Sequence, residues 1–234
     1  MTYENVQFER LSLSVDIGLA EKPMKNEDHS LVDNEQKLYG VFDGLGGLVG
    51  AAIASKAASI LIQSSMKDHL GVTDPNLLIE ALKDSITNAN DVIVDKFLGS
   101  ATTAVVAKLV SNRNGSFLVW ASVGDSRLYY KSADSDVVQI SEDEGEGHIV
   151  YNCLGIQPGY FSGVKQLGIF AIKSGDQFAL VTDGITGDYH PDILSNQEFD
   201  KALVDADNAQ MAAEALIKVS RKIDDKTAIV VRCD

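Results

Sequence analysis

The stretch "LYGVFDGLGGLVGAAIASKAASILI", Leu38 to Ile62, runs an apolar strand into Asp43, then into glycines, then into a long alanine-rich helix. Phosphate binding at a helix N-terminus is one use of such a turn, because the exposed N–H groups and the helix dipole favour anions. A carboxylate at the mouth of that site is electrostatically wrong for it. The other use is a cation, with glycine letting a backbone carbonyl come close. Gly44, Gly46 and Gly50 almost spell the Gly-x-Gly-x-x-Gly of dinucleotide binding, but the last glycine falls one residue late.

Around this stretch, residues 6–18, 29–33, 38–43, 103–110, 115–123, 126–131, 168–173, 177–182 and 227–232 alternate or run apolar between turn signals, which predicts strands. Helical periodicity covers 48–70, 75–98 and a segment near 208–222. Asp74 reads as the N-cap of the second helix and Pro75 as its first residue. The Asn114-Gly115 pair in "SNRNGSF" signals a hairpin and antiparallel pairing. Many strands with grouped helices predict an α+β fold rather than a βαβ winding.

With 234 residues and 45% hydrophobic content, the chain can bury a substantial core, and one domain over 1–234 is expected. Twenty Lys and Arg against 34 Asp and Glu give a formal charge of -14, which repels nucleic acid and anionic lipid; no basic run reverses it. Cys153 and Cys233 have neither a disulfide framework nor zinc-ligand spacing, so a reducing, cytoplasmic setting is expected. The N-terminal segment is polar, and Lys56 interrupts the longest apolar helix, so no membrane span is expected. The four histidines are dispersed, without a zinc-protease pair.

The acids sort onto strand ends. Asp43 and Asp183 each close a strand and precede glycine, Asp224 and Asp225 stand before the last strand, Glu27 and Asp28 lie between the first two, and Asp125 sits at a strand junction. One such aspartate is ordinarily a turn former. Several brought together repel one another, and a hard divalent cation such as Mg²⁺ or Mn²⁺ is the usual compensation. Periodicity does not establish that they converge.

In order and over nearly the whole chain, "NED", "VFDGLGG", "GSATTAVVA", "VGDSRLYY", "LVTDGITG" and "DDKTAIVV" resemble the metal-dependent protein phosphatases of type 2C. That resemblance implies a central antiparallel β-sandwich flanked by helix pairs, in four α-β-β-α layers, with two metal ions at one end. Asp43 would bridge both ions, Asp183 and Asp224 would bind the first, and Glu27 with the Gly44 carbonyl would serve the second. Asp28 would hold a metal-bound water, while Asp125 would join Asp183 at a third, weaker ion. Asp225 stands at the family's usual asparagine position.

Three departures from the family pattern bear on function. Pro23 stands where many members carry a phosphate-gripping arginine, which leaves Lys22 and Lys25 as substitutes in sequence. Leu45 replaces a histidine used as a general acid by many eukaryotic members, with His29 as a candidate donor. "SEDEGEGH", from Ser141 to His148, is short where bacterial relatives carry a mobile flap. The expected activity is hydrolysis of phosphoserine and phosphothreonine in a protein substrate, opposing a kinase, by a metal-activated water. A non-catalytic module binding a phosphoprotein or kinase and a small-metabolite phosphatase are the alternatives.

Overall fold

The structure is a computed structural model that describes residues 13–48, 50–157 and 159–234. Two five-stranded antiparallel sheets form its centre. The first runs Val15–Lys22, Lys226–Cys233, Gln177–Val181, Arg127–Lys131 and the short Val138–Gln139. The second runs Gln166–Ile172, Gly115–Val123, Ala104–Asn112, Leu38–Phe42 and His29–Asp33. The α+β class predicted from the strand order is the one observed.

Alternation along the strands sends side chains to two different cores. Tyr39, Val41, Val105 and Trp120 of the second sheet meet Leu128, Phe178, Leu180, Ile229 and Val231 of the first. The opposite face of the second sheet packs on α1 (Ala51–Lys67) and α2 (Pro75–Lys96), through Ile62, Met66, Leu82 and Ile86. After the one-turn α3 (Asp183–Thr186), α4 (Asn196–Val204) and α5 (Ala209–Val219) cover the outer face of the first sheet. No helix among the described residues is long and apolar enough to cross a membrane. Cys153 and Cys233 are free and buried.

The predicted helix starts were accurate at α2, where the Asp74 carboxylate accepts from the Asn76 N–H at 2.9 Å and Pro75 opens the helix. Elsewhere the boundaries moved. Residues 6–12 of the predicted first strand lie outside the described residues, and the observed strand continues to Lys22, four residues beyond its predicted end. Pairing with the last strand extends it, up to Lys22 opposite Lys226. The hairpin turn sits one residue early, on Arg113 and Asn114, because Asn112 pairs with Gly115 and its side chain accepts the Asn114 N–H at 2.8 Å. The sequence reading missed α4 altogether, although Ser195 and Glu198 form a reciprocal capping box at its start.

Candidate metal centre

Antiparallel pairing brings distant acids to one end of the sheets. The fully buried strand Leu38–Phe42 ends at Asp43, whose backbone is locked on both sides: its N–H donates to Thr103 Oγ1 at 3.0 Å, and its carbonyl accepts from the Thr103 N–H at 2.8 Å and the Thr102 hydroxyl at 2.9 Å. Gly44 then donates to the Glu27 carbonyl at 3.2 Å, and that carbonyl also accepts from the Ser55 hydroxyl at 2.6 Å. A Cβ at Gly44 would stand 2.6 Å from the Ala51 carbonyl oxygen and 2.7 Å from that of Glu27. Close backbone approach therefore requires this glycine. Between Asp43 and α1, Gly47 and Gly50 take left-handed conformations, with φ of 83° and 95°.

The second Asp-Gly pair follows the same logic. Asp183 opens α3, and a Cβ on Gly184 would lie only 1.7 Å from the Asp225 carbonyl oxygen. The two acid-bearing segments, 183–184 and 224–225, are thus pressed together through backbone. At the same junction Thr182 and Thr227 both donate their hydroxyls to Asp28 Oδ2 at 2.8 Å, while the buried Asp28 Oδ1 has no hydrogen-bond partner among the described residues. Asp225 turns away from the cation role and toward the backbone. Its Oδ1 accepts from the N–H groups of Met24, Lys25 and Asn26, and its Oδ2 accepts from Glu27 at 2.7 Å.

A cleft of about 460 Å³ opens over this junction, lined by Glu27, Asp43, Gly44, Leu45, Asp125, Asp183, Asp188, Asp224 and Asp225, with Lys25 and Lys222. Every predicted acidic ligand lines it, whereas Asp28, expected to hold a metal-bound water, lines a neighbouring pocket with His29. Lys25 reaches the cleft and stands 3.4 Å from Asp224. Lys22, exposed on its strand, is not among the lining residues. The 141–148 segment is more than a solvated turn. Asp143 holds Arg127 through two nitrogens, Glu144 accepts from the Gly124 N–H, and His148 Nδ1 reaches within 2.6 Å of Asp188.

Crowded carboxylates in a poorly solvated cleft resist ionisation. Burial, followed by the carboxylates of Asp183, Asp28 and Asp125, holds the Asp43 carboxyl well above its ordinary range. Burial pushes Asp125 up to about 7, with Asp183 and Asp143 adding to it and Lys222 opposing. Asp28 also rises to about 7, through burial and against its two threonine hydrogen bonds. Asp225 goes the other way: burial would raise it, but the N–H groups of Glu27, Met24, Lys25 and Asn26 outweigh that and hold it low.

The oxygen donors and excess negative charge of Glu27, Asp43 and the Gly44 carbonyl fit a hard divalent cation at that side of the cleft. The Asp183 and Asp224 side is different. There Lys222 inserts its ammonium, ion-paired with Asp183 and lying 3.3 Å from Asp224 and 3.5 Å from Asp188. Among the described residues, no three His, Cys, Asp or Glu side chains stand ready around a single ion position. The sequence reading missed Lys222 and Asp188. Their only signals were proximity to Asp224 in "KIDD" and to Asp183 in "TDGITGD".

The model of the family described as protein phosphatase 2C matches residues 7–145, more than half of the chain. No curated protein matches the sequence. Among solved structures, the fold is similar to PppA, described as a key regulatory component of T6SS in Pseudomonas aeruginosa, with a TM-score of 0.77 at 20% identity over 95% of this chain and 99% of that one. It is equally similar to the serine/threonine phosphatase Stp1 from Staphylococcus aureus, with a TM-score of 0.77 at 20% identity over 97% and 98%. The catalytic domain of the phosphatase PstP, in complex with 2 manganese ions, gives 0.75 at 20% identity over 95% and 99%. The family match stops before Asp183 and Asp224, whereas the fold likeness spans both halves of the acid cluster.

Proposed function

The chain belongs to the protein phosphatase 2C family, and from that premise we propose that it hydrolyses phosphoserine and phosphothreonine in proteins with the help of divalent metal ions. One observation carries the reading: Glu27, Asp43, Gly44, Asp125, Asp183 and Asp224, scattered in sequence, line one cleft. When bound, Mg²⁺ or Mn²⁺ would supply Lewis-acid charge that makes water nucleophilic near neutral pH and offsets the charge of the phosphoryl oxygens. Asp43 would serve two ions, with Glu27 and the Gly44 carbonyl on one side and Asp183 and Asp224 on the other; Asp125 would serve a third.

The protein groups divide the remaining work. Asp28, beside the cleft and with its buried Oδ1 unpartnered among the described residues, would hold a metal-bound water. Lys25, 56% exposed at the cleft mouth, is the side chain suited to meet the substrate phosphate as a mobile point charge. Leu45 has no proton to give a departing alkoxide, so esters with acidic leaving groups should react faster than phosphoserine in the chemical step. We read the 234 residues as one domain. Free, buried Cys153 and Cys233 suit the reducing cytoplasm.

A second reading, a non-catalytic module that binds a phosphoprotein or a kinase, is favoured by the Lys222 ammonium among the acids. Phosphate release from an aryl phosphate and a panel of phosphoserine and phosphothreonine peptides separates the two. Turnover that vanishes with chelator and returns with Mn²⁺ or Mg²⁺ is the expected result. Full turnover after verified metal removal overturns the metal mechanism, and metal uptake without turnover on any substrate favours the regulatory module.

A further inference from the structure

We propose that Lys222 is an internal counter-cation that occupies the Asp183–Asp224 half of the acid cluster, so that this chain binds one divalent ion tightly and admits a second only when Lys222 is displaced. The inference rests on the divalent-metal reading of the cleft. Lys222 is no stray surface lysine: its side chain is 11% exposed and its ammonium faces Asp183, Asp188 and Asp224 together. Lys25, by contrast, is 56% exposed and, among the described residues, ion-pairs only with Asp224.

Residues on both sides of Lys222 are tethered by hydrogen bonds. Ahead of it, the Ser220 hydroxyl donates to the Gly184 carbonyl at 2.5 Å, and the Ser220 carbonyl accepts from Lys226 Nζ at 3.0 Å. Behind it, Asp225 is bound by four N–H groups of the 24–27 segment. A side chain launched from so constrained a segment is directed into the cluster rather than sampling solvent.

An ammonium and a divalent ion make incompatible demands on the same carboxylates. Lys222 holds its oxygens at hydrogen-bonding distance, whereas Mg²⁺ needs ligand oxygens at about 2.0–2.1 Å in near-octahedral order. Both cations at this spot, where the Lys222 side chain is mostly buried, would also repel each other strongly. Asp43, Glu27 and the Gly44 carbonyl make no ion pair with Lys222 among the described residues, so their side stays open to an ion.

Mn²⁺ titration of the whole chain, followed by the electron paramagnetic resonance of free Mn²⁺ and by calorimetry at fixed pH, tests this. Wild type should bind one equivalent tightly, with a second at least tenfold weaker; Lys222→Met should bind two with similar affinity, and Lys222→Arg should match wild type. Equal number and affinity in wild type and Lys222→Met overturn the inference while leaving the metal reading intact. No Mn²⁺ uptake by either protein overturns both. Should Lys222→Met fail to fold, acetylation of Lys222 in the wild-type protein, mapped by mass spectrometry, decides. Its labelling should rise several-fold in millimolar Mn²⁺, and unchanged labelling overturns the displacement.

Discussion

The Glu27 N–H donates a 2.7 Å hydrogen bond to Asp225 Oδ2, across 198 positions of sequence. Three further N–H groups converge on the other oxygen of the same carboxylate. The acid at the family's asparagine position thus organises the 24–27 segment and sets where Glu27 stands. Asp225→Ala should destabilise the fold by about 2–4 kcal/mol, since each charge-assisted bond contributes about 1.5–3 kcal/mol and water replaces part of the loss. Asp225→Asn, with one accepting oxygen, should fall between the two. Denaturant melts measure both variants. A neutral Asp225→Ala change would show that the segment holds its shape without the carboxylate.

Asp43 bears on metal-free stability as well as on the proposed chemistry. Its carboxyl is buried beside those of Asp183, Asp28 and Asp125, so in metal-free protein its ionised form is unfavourable. Asp43→Asn should abolish metal-dependent phosphate release and raise the metal-free melting point by a few degrees, corresponding to about 1–2 kcal/mol. Loss of activity together with lower metal-free stability would contradict the charge-crowding account.

The raised carboxyls also fix the sign of a pH effect. Asp28 and Asp125 titrate near 7 in the fold and near 3.8 when unfolded, and Asp43 is raised as well. Between those values the native state holds more protons than the unfolded chain, so metal-free stability falls as pH rises from about 5 to 7. His29, pushed down by burial, opposes this trend near neutrality, but it is one group against three. Asp225, held low, loses its stabilising effect only below this window. Saturating Mn²⁺ should flatten the slope. Thermal melts across pH, with and without Mn²⁺, check both statements.

Two glycines near the acid cluster should respond very differently. Gly184→Ala places a methyl 1.7 Å from the Asp225 carbonyl oxygen and should cost at least about 3 kcal/mol. Around Gly46 a Cβ meets only the tips of Glu27 and Lys25, each at 3.5 Å, so Gly46→Ala should change stability by less than about 1 kcal/mol. Comparable losses at the two positions would mean that backbone approach is not what demands Gly184.

Only one of the two candidate lysines reaches the cleft. Lys25→Ala should raise KM several-fold with little change in kcat, the mark of lost uniform binding, while Lys22→Ala should leave both constants alone. Steady-state kinetics on an aryl phosphate distinguish them. A larger effect from Lys22 would reassign the phosphate contact.

The sequence by itself determined the α+β class, nearly all long strands and helices, and the identity of the acids, because these rest on local periodicity, capping and the order of short motifs. Asp43-Gly44 and Asp183-Gly184 were legible as special turns, since glycine after a strand-end acid marks a place where a side chain does not fit. The tertiary structure alone decided what those acids face. Whether Asp225 binds an ion or four backbone N–H groups depends on the register of Val15–Lys22 against Lys226–Cys233, which no local pattern encodes. Likewise Lys222 looks like any helix-end lysine in the chain. Its ammonium enters the acid cluster because Ser220 and Asp225 fix the backbone around it, and those fixings are contacts between residues far apart in sequence.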